Sequence, residues 1–329
     1  MPAFKPQIPI VVDPTGVHAS TDPRPMGMGT DASRAEVVEG TGGSPLVDFA
    51  ATSNPYIDYQ SVDLLLSLQH PRSEAYDEMC FFIMGQVKEL LFKLLHFELH
   101  NARHLIREGS ADDALTVLDR SREVARLLTS AWDVVTTISA EGFNQFRDHL
   151  DQASGQLSFM YRHVEFILGN KDRRLASAHR NVPHVWPYME EALETPSLYD
   201  EVIALLGHRG YEVSGEALDR DWSEPYQPQE SVEQAWFDIY CRRGSDDDLY
   251  RLGEALIALD DQMAQYRWRH FVLVSRIIGH KPGTGGSDGV GWLQQTTGHR
   301  YFPELWTVRT RLGTWPSPPK ARVTDQIGR

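Results

Sequence analysis

Cysteine is nearly missing. Of 329 residues only Cys80 and Cys241 carry a thiol, too few for a disulfide framework or a cysteine-rich zinc or iron–sulfur site, and suited to a reducing cytoplasm. Long apolar runs are lacking too. No stretch reaches the roughly 18 residues that a membrane helix needs, and the opening MPAFKP is broken by prolines and has no apolar signal core, so no membrane is expected. Positive charge is in deficit, 32 Lys and Arg against 46 Asp and Glu, a formal charge of −14. Such a surface repels phosphate backbones, and nucleic acid is not expected as a partner. Strand-like alternation, solenoid-period repeats, a Gly-x-Ser-x-Gly elbow and a Cys/His constellation for nucleophilic catalysis are all missing. What remains is a globular composition, 41% hydrophobic and 24% charged, long enough to bury a core without staples.

Residues 1–45 are rich in Pro, Gly, Ser, Thr and Asp with little periodicity, and are expected to form a flexible arm. Residues 46–314 form the body, and 315–329, starting at Trp315, a loose tail. Within the body, 55–67 turns helical. Residues 74–108 carry a helical pattern in which Ile83, Val87, Leu90, Leu94 and Phe97 recur at steps of four and three. Residues 112–139 align Ala114, Leu118, Ser121, Ala125, Leu128, Trp132 and Val135. A third helix is expected at 156–168, and shorter ones over 196–243, one opened by a capping box of Ser231 with Gln234. The last long helix, 245–279, aligns Leu252, Leu256, Leu259, Met263, Tyr266, His270, Leu273 and Ile277. Long apolar stripes with short connections predict an all-α helical bundle.

Several residues interrupt these patterns in ways that carry chemistry. His270 lies in an apolar stripe, where a neutral imidazole must find either a hydrogen-bond partner or a metal. Arg267 and Arg269 flank it and could meet carboxylates or solvent. The stretch KPGTGGSDGVGWL (281–293) has glycines that let backbone approach a ligand, with Thr284 and Ser287 hydroxyls to bind a small charged group. It is neither a P-loop nor a dinucleotide fingerprint, and a helix cap with linker is its bland reading. Gly85 sits inside a good helix at a cost of about 1 kcal/mol. Either a flat body lies against it on the face shared with Phe81, or two helices cross tightly there. Arg147, between two helical patterns, is a natural two-pronged clamp for a carboxylate, or else a surface partner of Asp148 or Asp151. His96, His100 and His104 share a helix face and are read as a polar surface rather than a metal site.

These pieces occur together in an order that resembles the tryptophan 2,3-dioxygenase family of haem enzymes. The matching segments are YIDYQSVDLLLSLQ (56–69), YDEMCFFIMGQVKELLFKLLHFEL (76–99), FNQFRDHLDQASGQLSFMYRHVEFILGN (143–170), WRHFVLVSRIIGHKPGTGGSDGVGWL (268–293) and YFPELWTVRT (301–310). The resemblance implies an α-helical bundle holding haem b, assembled as a homotetramer or homodimer. By motif, His270 stands for the iron ligand, Arg147 for the substrate-carboxylate partner, Thr284 for the loop residue that binds the amino-acid head, and Phe81 for the ring against the indole. Tyr56 and Tyr59 stand for pocket tyrosines that in the family come from a neighbouring subunit.

The chain also departs from the pattern. Gly85 replaces the histidine that faces bound oxygen, Leu91 a tryptophan, Gln60 a leucine, Phe143 a tyrosine of some members, and Asp288 the second serine of GTGGSSG. A related indole dioxygenase family manages with serine at the Gly85 position. The expectation is therefore a cytoplasmic haem-dependent oxygenase that uses O2 on the indole of tryptophan or a substituted tryptophan. The pocket substitutions favour, by a narrow margin, a monooxygenase giving an oxindole or hydroxylated product with an external reductant. The alternative is cleavage of the indole C2–C3 bond to N-formylkynurenine, and the second alternative a non-catalytic haem-binding relative. A cofactor-free helical interaction module is the remaining rival.

Overall fold

A computed structural model describes Arg24 and residues 26–47 and 54–313. Most of the expected arm and the tail from Trp315 lie outside the described residues. Helices make up the described chain, with no strand among them, as the apolar periodicity predicts. The chain divides into two compact units, Met1–Met79 and Cys80–Arg329.

In the first unit, α1 (Asp31–Thr41) forms within the stretch read as an arm. Its start is a reciprocal cap in which Thr30 and Ser33 satisfy each other's backbone N–H groups, and Gly42 ends it at φ 61°. None of its residues is buried, so capping supports this helix without core packing. Asn54 caps α2 (Pro55–Gln60), whose first residue is a proline. Ser61, at φ 51°, breaks the chain between α2 and α3 (Val62–Leu66). Arg24 ties this corner together through Asp58 at 3.1 Å and Asp63 at 2.8 Å.

The second unit contains the long helices. The chain runs through α4 (Tyr76–Arg107), α5 (Ala111–Val135), α6 (Ala140–Phe146), α7 (Phe159–Ile167) and α8 (Arg173–Ala176). It continues through α9 (Trp186–Glu194), α10 (Leu198–His208), α11 (Gly215–Leu218) and α12 (Glu230–Arg242). It closes with α13 (Asp248–Ile278), α14 (Val290–Thr297) and α15 (Pro303–Thr307). The main seam joins α5 to α13. Every residue of the stripe expected on α5 is buried, and on α13 every one except His270, which is half-buried. Each fully buried Leu in that seam contributes about 1.5–3 kcal/mol.

The stripe expected on α4 is not its core face. Ile83, Leu90, Leu94 and Phe97 are exposed, Phe97 at 68%, while Phe92, Leu95, Leu99, Ala102 and Ile106 are buried. Both sets follow steps of three and four, because α4 is apolar on more than one side. Periodicity cannot say which side meets the core. The capping box expected at Ser231 with Gln234 does not form either. The α12 N-cap is Gln229 without a side-chain cap, and the Ser231 hydroxyl instead accepts from the backbone N–H of Ser214 at 3.1 Å.

Charged residues inside the fold carry their own partners. Asp260 accepts from the backbone N–H of Tyr301 at 2.9 Å and from the Trp306 indole at 2.9 Å. Glu304 accepts from the hydroxyls of Tyr199 and Tyr226 at 2.9 and 2.5 Å, and from the backbone N–H of Gln229 at 2.7 Å. Lys171 donates to the carbonyls of Ala192, Leu193 and Thr195, closing the C-terminal end of α9. These bonds pin α10, α12, α13 and α15 to one another where apolar contact alone would leave the register loose.

Candidate active site

Helix α4 presents Phe81, Gly85 and Lys88 on one face, spaced four and three apart. A Cβ built on Gly85 meets nothing within 4 Å. The tight helix crossing weighed for this glycine is therefore excluded, and the face opens onto free space.

One turn further on, the Lys88 ammonium lies 3.5 Å from the centre of the Trp132 ring of α5. Trp132 in turn stacks on His270 of α13, with centres 4.4 Å apart and planes 4° from parallel. Tyr266, one turn before His270, packs against the same indole at 5.5 Å. Three helices thus converge on Trp132.

The imidazole and the ammonium share an unusual condition. Burial, helped by the charge of Lys88, pushes His270 down to about 3. Burial pushes Lys88 down to about 7, against a smaller upward pull from Glu89. Both residues nonetheless keep part of their surface free. Among the described residues no hydrogen bond reaches the His270 ring, and the buried Trp132 Nε1 has no acceptor. A neutral imidazole with a free nitrogen, aromatic walls, an uncrowded glycine one turn before Lys88 and an unpaired indole N–H suit a porphyrin held through His270. Arg267 and Arg269, the flanking cations, turn elsewhere. Arg267 donates to the carbonyl of His299 at 2.7 Å and packs on Tyr301, and Arg269 pairs with Asp133.

The other end of the α4 face leads to the predicted clamp. Phe81 packs against Phe143 and Phe146 of α6, with ring centres 5.8 and 5.4 Å apart. Arg147 follows directly. It forms no ion pair with Asp148 or Asp151, and donates instead to the carbonyl of Pro282. Lys281 donates to Asn144 at 3.2 Å, Thr284 to the carbonyl of Ala153 at 2.7 Å, and Gln156 to the carbonyl of Gly285 at 2.7 Å. The glycine-rich loop is therefore stitched along residues 144–156 and is more than a linker.

Two glycines in this loop are required by contact. A Cβ on Gly285 would lie 2.5 Å from Gln156 Nε2 and 2.7 Å from Ser154 Cβ. One on Gly289, at φ +72°, would lie 2.8 Å from the carbonyl of Lys281. Opposite the loop, Asp151 holds φ 49°, ψ −117°, a backbone state that costs on the order of 1–3 kcal/mol for a residue with a side chain. The seam around Arg147 is strained and held by its hydrogen bonds.

Tyr56 and Tyr59 belong to the first unit, where both are exposed on α2. His96, His100 and His104 do not assemble a metal site, and no His, Cys, Asp or Glu group that could hold a metal occurs among the described residues. His96 packs instead against His163 at 5.4 Å. Lys88 is not among the residues that the sequence marks, and Trp132 stands there only in an apolar stripe. Extending the Phe81–Gly85 face by one more turn would have reached Lys88.

No helix among the described residues is long and apolar enough to cross a membrane. The family model for tryptophan 2,3-dioxygenase matches residues 43–312. A tryptophan 2,3-dioxygenase of Shewanella woodyi is 41% identical over 78% of this chain and 90% of its own length. One of Cupriavidus necator is 39% identical over 87% and 97%, and one of Burkholderia pseudomallei 39% identical over 90% and 95%. With a match this long and relatives covered almost end to end, the chain belongs to the tryptophan 2,3-dioxygenase family.

Proposed function

We propose that this chain is a haem-dependent oxygenase that cleaves the indole C2–C3 bond of tryptophan with O2, giving N-formylkynurenine. The observation that carries the reading is the α4 face itself. It runs from Phe81, beside Arg147 and its docked loop, past the open Gly85, to Lys88 over the indole stacked on His270. A ligand-holding histidine and an amino-acid clamp are thus linked by one helix, and a mere haem carrier has no need of the clamp. The relatives all carry the dioxygenase name, which supports ring cleavage over the one-oxygen outcome that the pocket substitutions alone favoured. Cys80 and Cys241 are not joined to each other in a disulfide, which fits a cytoplasmic setting.

When bound, haem supplies the centre at which O2 is activated. His270 would hold that centre as a neutral imidazole, the form that burial favours. Arg147 grips the substrate carboxylate with two N–H groups, and the Thr284 hydroxyl takes the ammonium end. Phe81, already braced by Phe143 and Phe146, gives the indole a flat wall. Fixing head and ring together places the C2–C3 bond, and positioning of this kind supplies much of the rate. Gly85 offers no group to hold or move a proton, so proton handling there falls to the substrate's own groups. Tyr56 and Tyr59, exposed on α2, are assigned to the pocket of a neighbouring copy. The apolar surface left on α4 by Leu90, Leu94 and Phe97 is assigned to the same self-association.

Mass spectrometry of the product formed from tryptophan in labelled dioxygen tests the reading. N-formylkynurenine carrying two labelled atoms is expected. One labelled atom in an intact bicyclic product would replace it with the monooxygenase, and a Soret band without oxygen consumption would leave a haem-binding relative.

A further inference from the structure

Lys88 is an amine with no direct acid partner. Among the described residues it makes no hydrogen bond and no ion pair, and its contact is the π face of Trp132. The neighbouring carboxyl, Glu89, is bonded to Ser158 and is itself pushed upward by burial. The Nε1 of Trp132 is also buried without an acceptor. Two donors in the Lys88–Trp132–His270 group therefore have no hydrogen-bond acceptor among the described residues. Leaving such groups unpaired is costly, so a site that keeps them together is built for an acceptor that arrives from outside. The anion expected for the substrate's own carboxylate is already assigned at Arg147, at the far end of the α4 face. The flanking arginines are spent on Asp133 and on the His299 carbonyl.

We propose that Lys88, held over Trp132, is a cofactor-anchoring residue that pairs with a carboxylate on the rim of the haem. The inference rests on the haem reading of His270 and deepens it. An ammonium braced on an indole face loses little freedom when it pairs, because the ring already restricts its flexible stem. The carboxylate in turn gives the amine the acid partner it lacks. A substitution to methionine keeps most of the apolar stem and removes the amine with its charge and its hydrogen-bond donors.

The test compares two porphyrins on the full-length apoprotein by Soret titration, haemin and its dimethyl ester, whose rim carboxylates are neutral. Wild-type protein is expected to bind haemin about tenfold or more tighter than the ester, the range of one charge-assisted hydrogen bond. Lys88→Met is expected to lose most of that preference by weakening haemin while leaving the ester within about threefold. Lys88→Arg is expected to restore the preference. Equal weakening of both porphyrins, or no change in either, overturns the proposal, and circular dichroism of the apoprotein shows whether the variant is folded. His270→Ala separates this failure from that of the haem reading. If wild type binds neither porphyrin, or if His270→Ala leaves the Soret band unchanged, the axial assignment falls, and Lys88 with it.

Discussion

Replacing Gly85 by alanine sets the cost of an interior helical glycine against whatever the missing side chain makes room for. Glycine is worse than alanine by about 0.8–1 kcal/mol in the middle of a helix, and α4 continues for many residues on either side of position 85. Because a Cβ there meets nothing within 4 Å, no steric term opposes the gain. The apoprotein should be stabilised by nearly the full propensity difference, raising Tm by about 2–4 °C for a domain of this size. Thermal unfolding followed by far-UV circular dichroism measures it. A methyl group leaves most of the space open, so the Soret titration with haemin should be unchanged, whereas Gly85→Phe should weaken haemin binding by filling the face. A lower Tm for the alanine variant would refute the reasoning, since it would mean that this face is packed against something and is no entrance to a cavity.

Gly285→Ala should destabilise the loop seam by about 1–3 kcal/mol through overpacking on Gln156 and Ser154, and should raise KM for tryptophan, in steady-state kinetics, more than it lowers kcat. Lys171→Met should cost about 2–4 kcal/mol in urea unfolding, because the carbonyls of Ala192, Leu193 and Thr195 lose their shared donor. Acid should unfold the protein early. His96 and His299 are both pushed by burial to about 4, so the unfolded chain takes up protons first as pH falls below about 6.5. Stability is then full above that pH and declines toward pH 4, by on the order of 3 kcal/mol for each histidine. His96→Gln should flatten that slope in a pH series of urea midpoints.

The comparison of α4 with α13 shows where sequence reasoning stops. On α13 a single apolar stripe, from Leu252 to Ile277, could face only one way, and the histidine within it was legible as the exception. On α4 two apolar faces compete, and the one bearing Phe92, Leu95 and Leu99 is buried. Local pattern carries no information about which face the rest of the chain covers. The same limit hid Lys88, whose residue type on a charged helix looks like surface until Trp132 of α5 is brought over it.

Sequence by itself determined the all-α class and the long helices with the α5 and α13 stripes, and marked His270, Arg147, Thr284 and Gly85 as candidates, because periodicity, glycine placement and motif order are properties of the chain alone. Tertiary structure decided which α4 face is core, that Gly85 opens on space rather than a helix crossing, and that the glycine loop is sewn to residues 144–156. It also decided that Lys88 and His270 share one indole. Each of these depends on which groups a distant segment brings within a few ångströms, and burial and hydrogen bonding act only at that range.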